Sequence, residues 1–539
     1  MFFPSFLAPR HSNNSDIFLL SLLVAALYFP FLGARDFWAP VEPRYGEIAR
    51  VMFAKGEWIV PTVNGDLYTD KPILYFWLVL LVSKLAGAVS EWTVRLPAAL
   101  GGAGLVLTTY YFGRDFFSAR VGLIAAVVLA TCVRVIWEAR WAHIDALFCF
   151  LFTLSIYFGA RALLRKGRPN EILLSYACMA LATLAKGLIG IVLPGLLFSA
   201  LVLAQRDWRL IADAKLPLGV IIFLTIAAPW FYLVQQATGG RWLSDFIYIH
   251  HLQRFSAGAG HRQPFYYYLT TLPIDFMPWT VFAMAALFAY RDYRKAWADP
   301  NIQFFLFWFI SVFAFFSLSD TKRDLYLMPL LPPLALFVGN FLDALAAGRG
   351  MQDLLYRWFA MIFFLLVAFV GAGFPLAAWV LRREAFTVTL PASAALAAGG
   401  VCAACFVWRR RPLTALASVS AMMVVSLLAA ALWIFPYLER FKSSRPFSLV
   451  VKKIVPASVP LYVYADTMND FNYYTEREKM PILASSAAVG ALIAKGENGF
   501  MLIKDRDLKR LAQIPPESII ASDRDGSTSW YLIEFKRRS

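Results

Sequence analysis

The chain has 539 residues, of which 60% are hydrophobic and only 16% charged, with a mean hydropathy of +0.59. A soluble domain averages about 25% charged residues, so this composition excludes a single water-soluble fold and points to a polytopic membrane protein. The net charge of +16 falls mostly in short loops between apolar runs, with no basic–aromatic stripe; this fits a topology signal and anionic membrane lipid, and excludes nucleic acid as the partner.

Arg10 and His11 precede an apolar run from Ile17 with no small-residue cleavage site after it, so we expect an uncleaved first span. Fourteen apolar runs follow one another from 17–33 to 413–436. If the run at 72–89 lies in the outer interface and does not cross, the basic clusters all fall on one side: Arg114/Arg120, Arg161/Arg165/Lys166/Arg168, Arg206/Arg209/Lys215, Arg291/Arg294/Lys295, Arg349/Arg357 and Arg409/Arg410/Arg411. That is the positive-inside pattern. It predicts about thirteen transmembrane helices, N-terminus in and C-terminus out, with Arg382 and Arg383 the one dissent. The predicted division is a membrane domain over 1–436 and a soluble domain over 437–539. The outer loops include 34–95, with interfacial helices, and 237–269.

The tail changes character. PLYVYAD and GFMLIKD read as strands and ILASSAAVGALIAKG as a helix, which predicts a small α/β domain long enough to fold alone. Cys132, Cys149, Cys178, Cys402 and Cys405 lie in or beside apolar runs. They have neither metal-knuckle spacing nor a disulfide framework, and packing is the expected role. No internal repeat of 20–50 residues is visible.

The outer loops hold most of the polar chemistry. Ionisable groups at membrane depth are costly unless paired or facing water, and the stretch from Trp38 to Trp77 carries Glu42, Arg44, Tyr45, Glu47, Arg50, Asp70 and Lys71. Pro43 suits the first turn of a helix whose dipole would favour an ionised Glu42. Glu42 then reads either as a catalytic or metal-binding carboxylate or as part of a salt-bridged surface helix. Lys71, before an aromatic-rich interfacial helix, reads as an ammonium for an anionic headgroup, oriented by Asp70, or as a snorkelling loop lysine. Asp145 stands where a helix enters the bilayer from outside, either as a helix cap or as a second acid of a two-carboxylate site. Lys186, in the tight LAKG turn, reads as an anion contact or as a snorkelled anchor.

In the 237–269 loop, Arg254 reads as an anion clamp. His251, with Asp70, could hold a divalent cation, although the spacing of His250, His251 and His261 is no zinc signature. Lys322 and Arg323, with Tyr326 beside them, stand at the outer mouth of a Pro-rich span, against the orientation rule. That anomaly argues for a bound anion.

Taken together, WAPVEPRYGEIARVMFAKGEWIVP…YTDKPILYFW, VRLPAAL, ARWAHIDALF, LAKG, FIYIHHLQRF…HRQPFYYYL and SDTKRDLYLMPLLPPLAL, in this order over about residues 38–340, resemble the bacterial 4-amino-4-deoxy-L-arabinose lipid A transferases. More broadly they resemble the polyprenyl-phosphate-sugar-dependent GT-C glycosyltransferases, including protein O-mannosyltransferases. The resemblance implies an inverting transferase of the bacterial inner membrane, multi-pass, with its site and C-terminal domain periplasmic. It implies an undecaprenyl-phosphate-linked sugar donor and a lipid A or other lipid or glycan acceptor. Position by position, it makes Lys71 the donor-phosphate lysine, Asp70 its acidic neighbour, Asp145 the second acid of the site and His251 the histidine of the long loop. One departure stands out: where the aminoarabinose transferases have Asp-Glu before Arg-Tyr, this chain has Val41-Glu42.

The expected chemistry is attack of an acceptor oxygen on the anomeric carbon, with Glu42 as the carboxylate that takes the proton of a hydroxyl acceptor, Asp145 assisting or orienting, and Lys71, Arg44, Lys186, Arg254, Lys322, Arg323 and Tyr326 around the leaving phosphate. No cofactor is required and no Gly-rich phosphate loop is present; the protein is expected to act as a monomer. The same chemistry on a protein hydroxyl or another glycolipid stays open. A flippase or transporter is the reading from another class, but its inverted repeats and matched broken segments are not visible.

Overall fold

The computed structural model describes residues 14–164, 166–253, 262–291, 300–348, 353–495, 498–511, 514–525 and 528–535. They group into two compact units. One takes Met1–Pro30, Thr69–Tyr75 and Arg95–Trp433; the other takes Phe31–Tyr68, Phe76–Val94 and Ile434–Ser539. The outer loop 34–95 is thus divided between them.

The first unit is helical. Among the described residues, seven helices are long and apolar enough to cross a membrane, and nine if each of two bent pairs counts as one span. Asn14–Tyr28 and Ile189–Gln205 are shorter apolar helices. The run at 72–89 forms only the 13-residue helix Leu74–Ala86. At 1.5 Å per residue this is about 20 Å long, short of the roughly 30 Å hydrocarbon core.

Small residues let the helices approach closely. A Cβ on Gly122 would lie 2.4 Å from the Tyr110 carbonyl oxygen and 2.8 Å from the Arg114 nitrogen, so Glu91–Phe116 and Ala119–Ala130 pack backbone to backbone. Gly400 does the same against Phe364 and Ala368, joining Asp353–Leu381 to Ala385–Trp408. Aromatic rings fill wider gaps: Phe112 meets Phe116, Tyr157, Phe305 and Trp308.

The two bent pairs are Ala119–Ala130 with Val133–Arg140, at 63°, and Tyr267–Asp275 with Thr280–Phe288, at 113°. A broken helix strands backbone donors and acceptors, which membrane proteins tolerate only where protein re-satisfies them. Here the two breaks satisfy each other. The Val133 N–H donates to the Met277 carbonyl at 2.9 Å. The Trp279 indole N–H donates to Thr131 Oγ1 at 3.0 Å, and the Cys132 thiol to the Asp275 carbonyl at 3.0 Å.

The second unit contains a five-stranded sheet in the spatial order Ile482–Leu483, Leu461–Tyr464, Gly499–Lys504, Thr528–Phe535, Ile519–Asp525. The first three strands are parallel and the last two pairings antiparallel. Successive side chains point to opposite faces. Leu461, Val463, Leu502 and Leu532 pack with Phe447, Val451 and Phe471 on one face. Met501, Ile503 and Ile533 pack with Val489 and Leu492 on the other. The helix Val41–Lys55 belongs to the same unit and packs on Asn469–Thr475. The adjoining Asn64 side-chain oxygen accepts from the Met480 N–H at 2.7 Å, and its amide donates to the Met480 carbonyl at 3.1 Å.

Replacing Gly122 by valine should cost about 1–3 kcal/mol through overpacking. The expected readout is a clear fall in the Tm of the detergent-purified protein. An unchanged Tm would remove the proposed close approach.

Candidate active site

Asp145 opens the helix Asp145–Leu163 and is buried. Lys186, the last residue of Glu171–Lys186, is buried against it, and its ammonium donates to Asp145 Oδ1. Among the described residues no hydrogen bond is made to Asp145 Oδ2. The Lys186 ammonium also lies 5.1 Å from the ring centre of Phe148 and 5.3 Å from that of Tyr326, within the range of cation–π attraction. Three predicted residues from three separate elements therefore meet: Asp145, Lys186 and Tyr326.

Asp70 and Lys71 form a second group. The Lys71 ammonium donates to Asp70 Oδ1 at 3.0 Å and to the Asp70 carbonyl at 3.1 Å. His250 Nδ1 is 3.4 Å from the same carboxylate oxygen, and its Nε2 is 3.1 Å from Thr69 Oγ1. The histidine on Asp70 is thus His250. The His251 side chain and Arg254 lie outside the described residues. No cluster of three or more His, Cys, Asp or Glu able to hold a metal exists among the described residues.

Lys322 is the cation whose setting is most unusual. It is 5% exposed, and its ammonium donates to the carbonyls of Ser319 at 2.5 Å and Gln263 at 3.4 Å. Among the described residues it has no carboxylate partner, and neither has its half-buried neighbour Arg323. A buried charge met only by neutral carbonyls is costly unless a counter-charge completes the site.

Glu42 is in the other unit and is not an open carboxylate. It is fully buried, and Arg35 grips both its oxygens, at 2.5 and 2.9 Å, while the Trp38 N–H donates to it at 3.2 Å. Arg44, on the same helix, is half-buried and makes no ion pair among the described residues. Glu47 is held by Arg50 through two bonds of 2.8 Å. Burial pushes the Glu47 carboxyl up to about 7, against the pull of Arg50.

Sequence reading missed a second buried ion cluster. Arg134 contacts Asp275 at 2.6 Å, Glu138 at 3.2 Å and, closest of all, Asp324. His143 Nδ1 lies 2.7 Å from Glu138 Oε2. Arg134 is followed four residues later by Glu138, a helical i,i+4 pair, and this was the only local signal. Its other partners are far away in sequence. The first unit also has a partly open apolar pocket of about 270 Å³ lined by residues such as Leu272, Phe276, Met284, Leu287, Phe309 and Phe337.

Breaking a buried ion pair by removing one partner costs about 3–5 kcal/mol. Arg35→Ala should therefore lower Tm markedly, whereas Arg44→Ala, which breaks no such pair, should leave it within a degree or two. Equal Tm values for the two variants would show that the Arg35–Glu42 pair is not structural.

The comparisons with known proteins agree with this architecture. The family model of dolichyl-phosphate-mannose-protein mannosyltransferases matches residues 70–233. The undecaprenyl phosphate-alpha-4-amino-4-deoxy-L-arabinose arabinosyl transferase of Edwardsiella ictaluri is 30% identical over 343 residues, covering 62% of this chain and 60% of that protein. The Pseudomonas paraeruginosa enzyme of the same name is 29% identical over 433 residues, 77% of this chain and 75% of that one. The chain thus spans about 60% of the length of the first of these relatives. Among solved structures, ArnT from Cupriavidus metallidurans bound to undecaprenyl phosphate superimposes with a TM-score of 0.77 at 22% identity, covering 96% of this chain and 98% of that one. The oligosaccharyltransferase of Archaeoglobus fulgidus gives 0.51 at 13%, covering 91% and 69%. The chain therefore has the GT-C glycosyltransferase fold and resembles both the aminoarabinose transferases and the O-mannosyltransferases.

Proposed function

We propose that the protein transfers a sugar, a 4-amino-4-deoxy-L-arabinose-type pentose, from undecaprenyl phosphate to lipid A or a related lipopolysaccharide acceptor. In this reading it acts as a monomer in the bacterial inner membrane, with about thirteen spans over 1–436. The site and the soluble part over 437–539 are periplasmic. The observation that carries the reading is Lys322, a buried ammonium with no carboxylate partner among the described residues, beside Arg323. A lipid-linked phosphate supplies the missing negative charge, and the apolar cavity suits its hydrocarbon chain.

The acceptor oxygen attacks the anomeric carbon, and the bond from that carbon to the phosphate oxygen breaks with inversion. The electron pair leaves with the phosphate. Charge growing there is stabilised by Lys322, Arg323 and Lys71, in a low-dielectric setting where such contacts are strongest. We assign proton removal from a hydroxyl acceptor to Asp145 Oδ2, because Lys186 occupies Oδ1. The Arg35 grip leaves Glu42 as the holder of its own loop. No nucleotide or cofactor enters the step. A cation at Asp70 and the histidines is dispensable for it.

The test uses the purified protein in nanodiscs with undecaprenyl-phosphate aminoarabinose and lipid A, read by mass spectrometry. Covalent transfer without nucleotide, insensitive to EDTA, is expected. Movement of donor across the bilayer without a product would instead establish a transporter. Asp145→Asn should lose about 10²–10⁴-fold in kcat, the usual worth of a general base. Lys322→Ala should raise the donor KM at least tenfold, and an unchanged KM would reject the phosphate contact.

A further inference from the structure

We propose that Arg134 is a positioning residue for this site, a clamp that sets the Asp145–Lys186–Tyr326 constellation from two directions without touching substrate. The proposal rests on the glycosyl-transfer reading for its kinetic consequences, but not for its geometry.

Arg134 sits in the first turn after the break between Ala119–Ala130 and Val133–Arg140. Its guanidinium gathers carboxylates from three places: Glu138 on its own helix, Asp275 at the second helix break, and Asp324 at the start of the 3-10 turn Asp324–Leu330. Only an arginine has the planar fork of donors for this; a lysine ammonium presents a point charge.

Each contact leads toward the site. Asp324 is two residues before Tyr326, and the Tyr326 N–H donates to the Arg323 carbonyl at 3.1 Å. Holding Asp324 therefore fixes the turn that lays the Tyr326 ring on Lys186, 5.3 Å from its ammonium. On the other side Glu138, ordered by Arg134, binds His143, two residues before Asp145. Asp275 ties the clamp to the break that Val133, Cys132 and Thr131 already bridge. Glu138 is fully buried and Asp275 nearly so. These two carboxylates require a cation, and Arg134 is the one placed between them.

The alternative is that Arg134 serves stability alone. The two roles separate in the experiment. The protein is prepared in nanodiscs with 3-fluorotyrosine at position 326, and its fluorine resonance is recorded for the wild type, Arg134→Gln and Asp324→Asn. Asp324 is the outermost partner, with its side chain 41% exposed, so Asp324→Asn cuts one link and keeps the buried carboxylates paired if Arg134→Gln does not fold. For Asp324→Asn a shifted or broadened 326 resonance at unchanged Tm is expected, with kcat for sugar transfer down at least tenfold and donor KM within twofold, whereas Arg134→Gln is expected to shift the resonance and lower Tm as well. A 326 resonance and kcat that stay at the wild-type values in a folded Asp324→Asn protein would overturn the proposal. So would a loss confined to KM. If the wild type itself transfers no sugar, the functional reading fails, while the fluorine measurement still decides the clamp.

Discussion

The organising constraint is the cost of holding ions away from water. A membrane-embedded site must gather charges to do phosphate chemistry, and each one requires a counter-charge within a few ångströms. Asp145 has Lys186, and Asp70 has Lys71. Arg134 has three carboxylates. Lys322 has two carbonyls. The first three groups are closed within the protein. Lys322 is met only by neutral carbonyls among the described residues, which sets it apart from these three paired groups.

Interrupted helices make the gathering possible. A continuous membrane helix offers no spare backbone groups and few places for a charge. At the breaks after Ala130 and Asp275 the backbone turns sharply, and the stranded groups are satisfied by the opposite break. The same places carry Arg134 and Asp275. Polarity that would be costly in one helix is thereby shared between two, next to the short turn that presents Lys322, Arg323 and Tyr326.

What was legible in the sequence followed from local rules. Charge at membrane depth singled out Asp145, Lys186 and Lys322, because an Asp or Lys flanked by apolar residues is conspicuous whatever it contacts. Period-two alternation in GFMLIK gave the strand Gly499–Lys504. The run at 72–89, which the positive-inside pattern sets in the interface, forms a helix of 13 residues. What was not legible depended on distant partners. Arg134 lies 141 residues from Asp275 and 190 from Asp324, and nothing in VRVIWEAR announces either. The approach of His250 to Asp70 depends on which way a π-helical turn, Tyr248–Gln253, faces. A difference of one residue in a helix moves a side chain by about 100°, which spacing alone does not fix.

The Glu42 environment bears on the Val41-Glu42 pair, where the resemblance to the aminoarabinose transferases leads one to expect Asp-Glu. A carboxylate gripped by a guanidinium at both oxygens, fully buried and further bonded by the Trp38 N–H, has its hydrogen-bonding capacity largely committed. It is well suited to hold the entry to Val41–Lys55 and poorly suited to accept a substrate proton. With valine at 41, no second acid in that turn takes over. Asp145 offers the contrasting environment: one oxygen meets Lys186 and the other accepts no hydrogen bond among the described residues. An ammonium on one oxygen holds the carboxylate in place without consuming the second, so orientation and reactivity are divided between two atoms of one side chain. The two acids thus differ in setting: Arg35 grips both oxygens of Glu42, whereas Lys186 holds Asp145 through one.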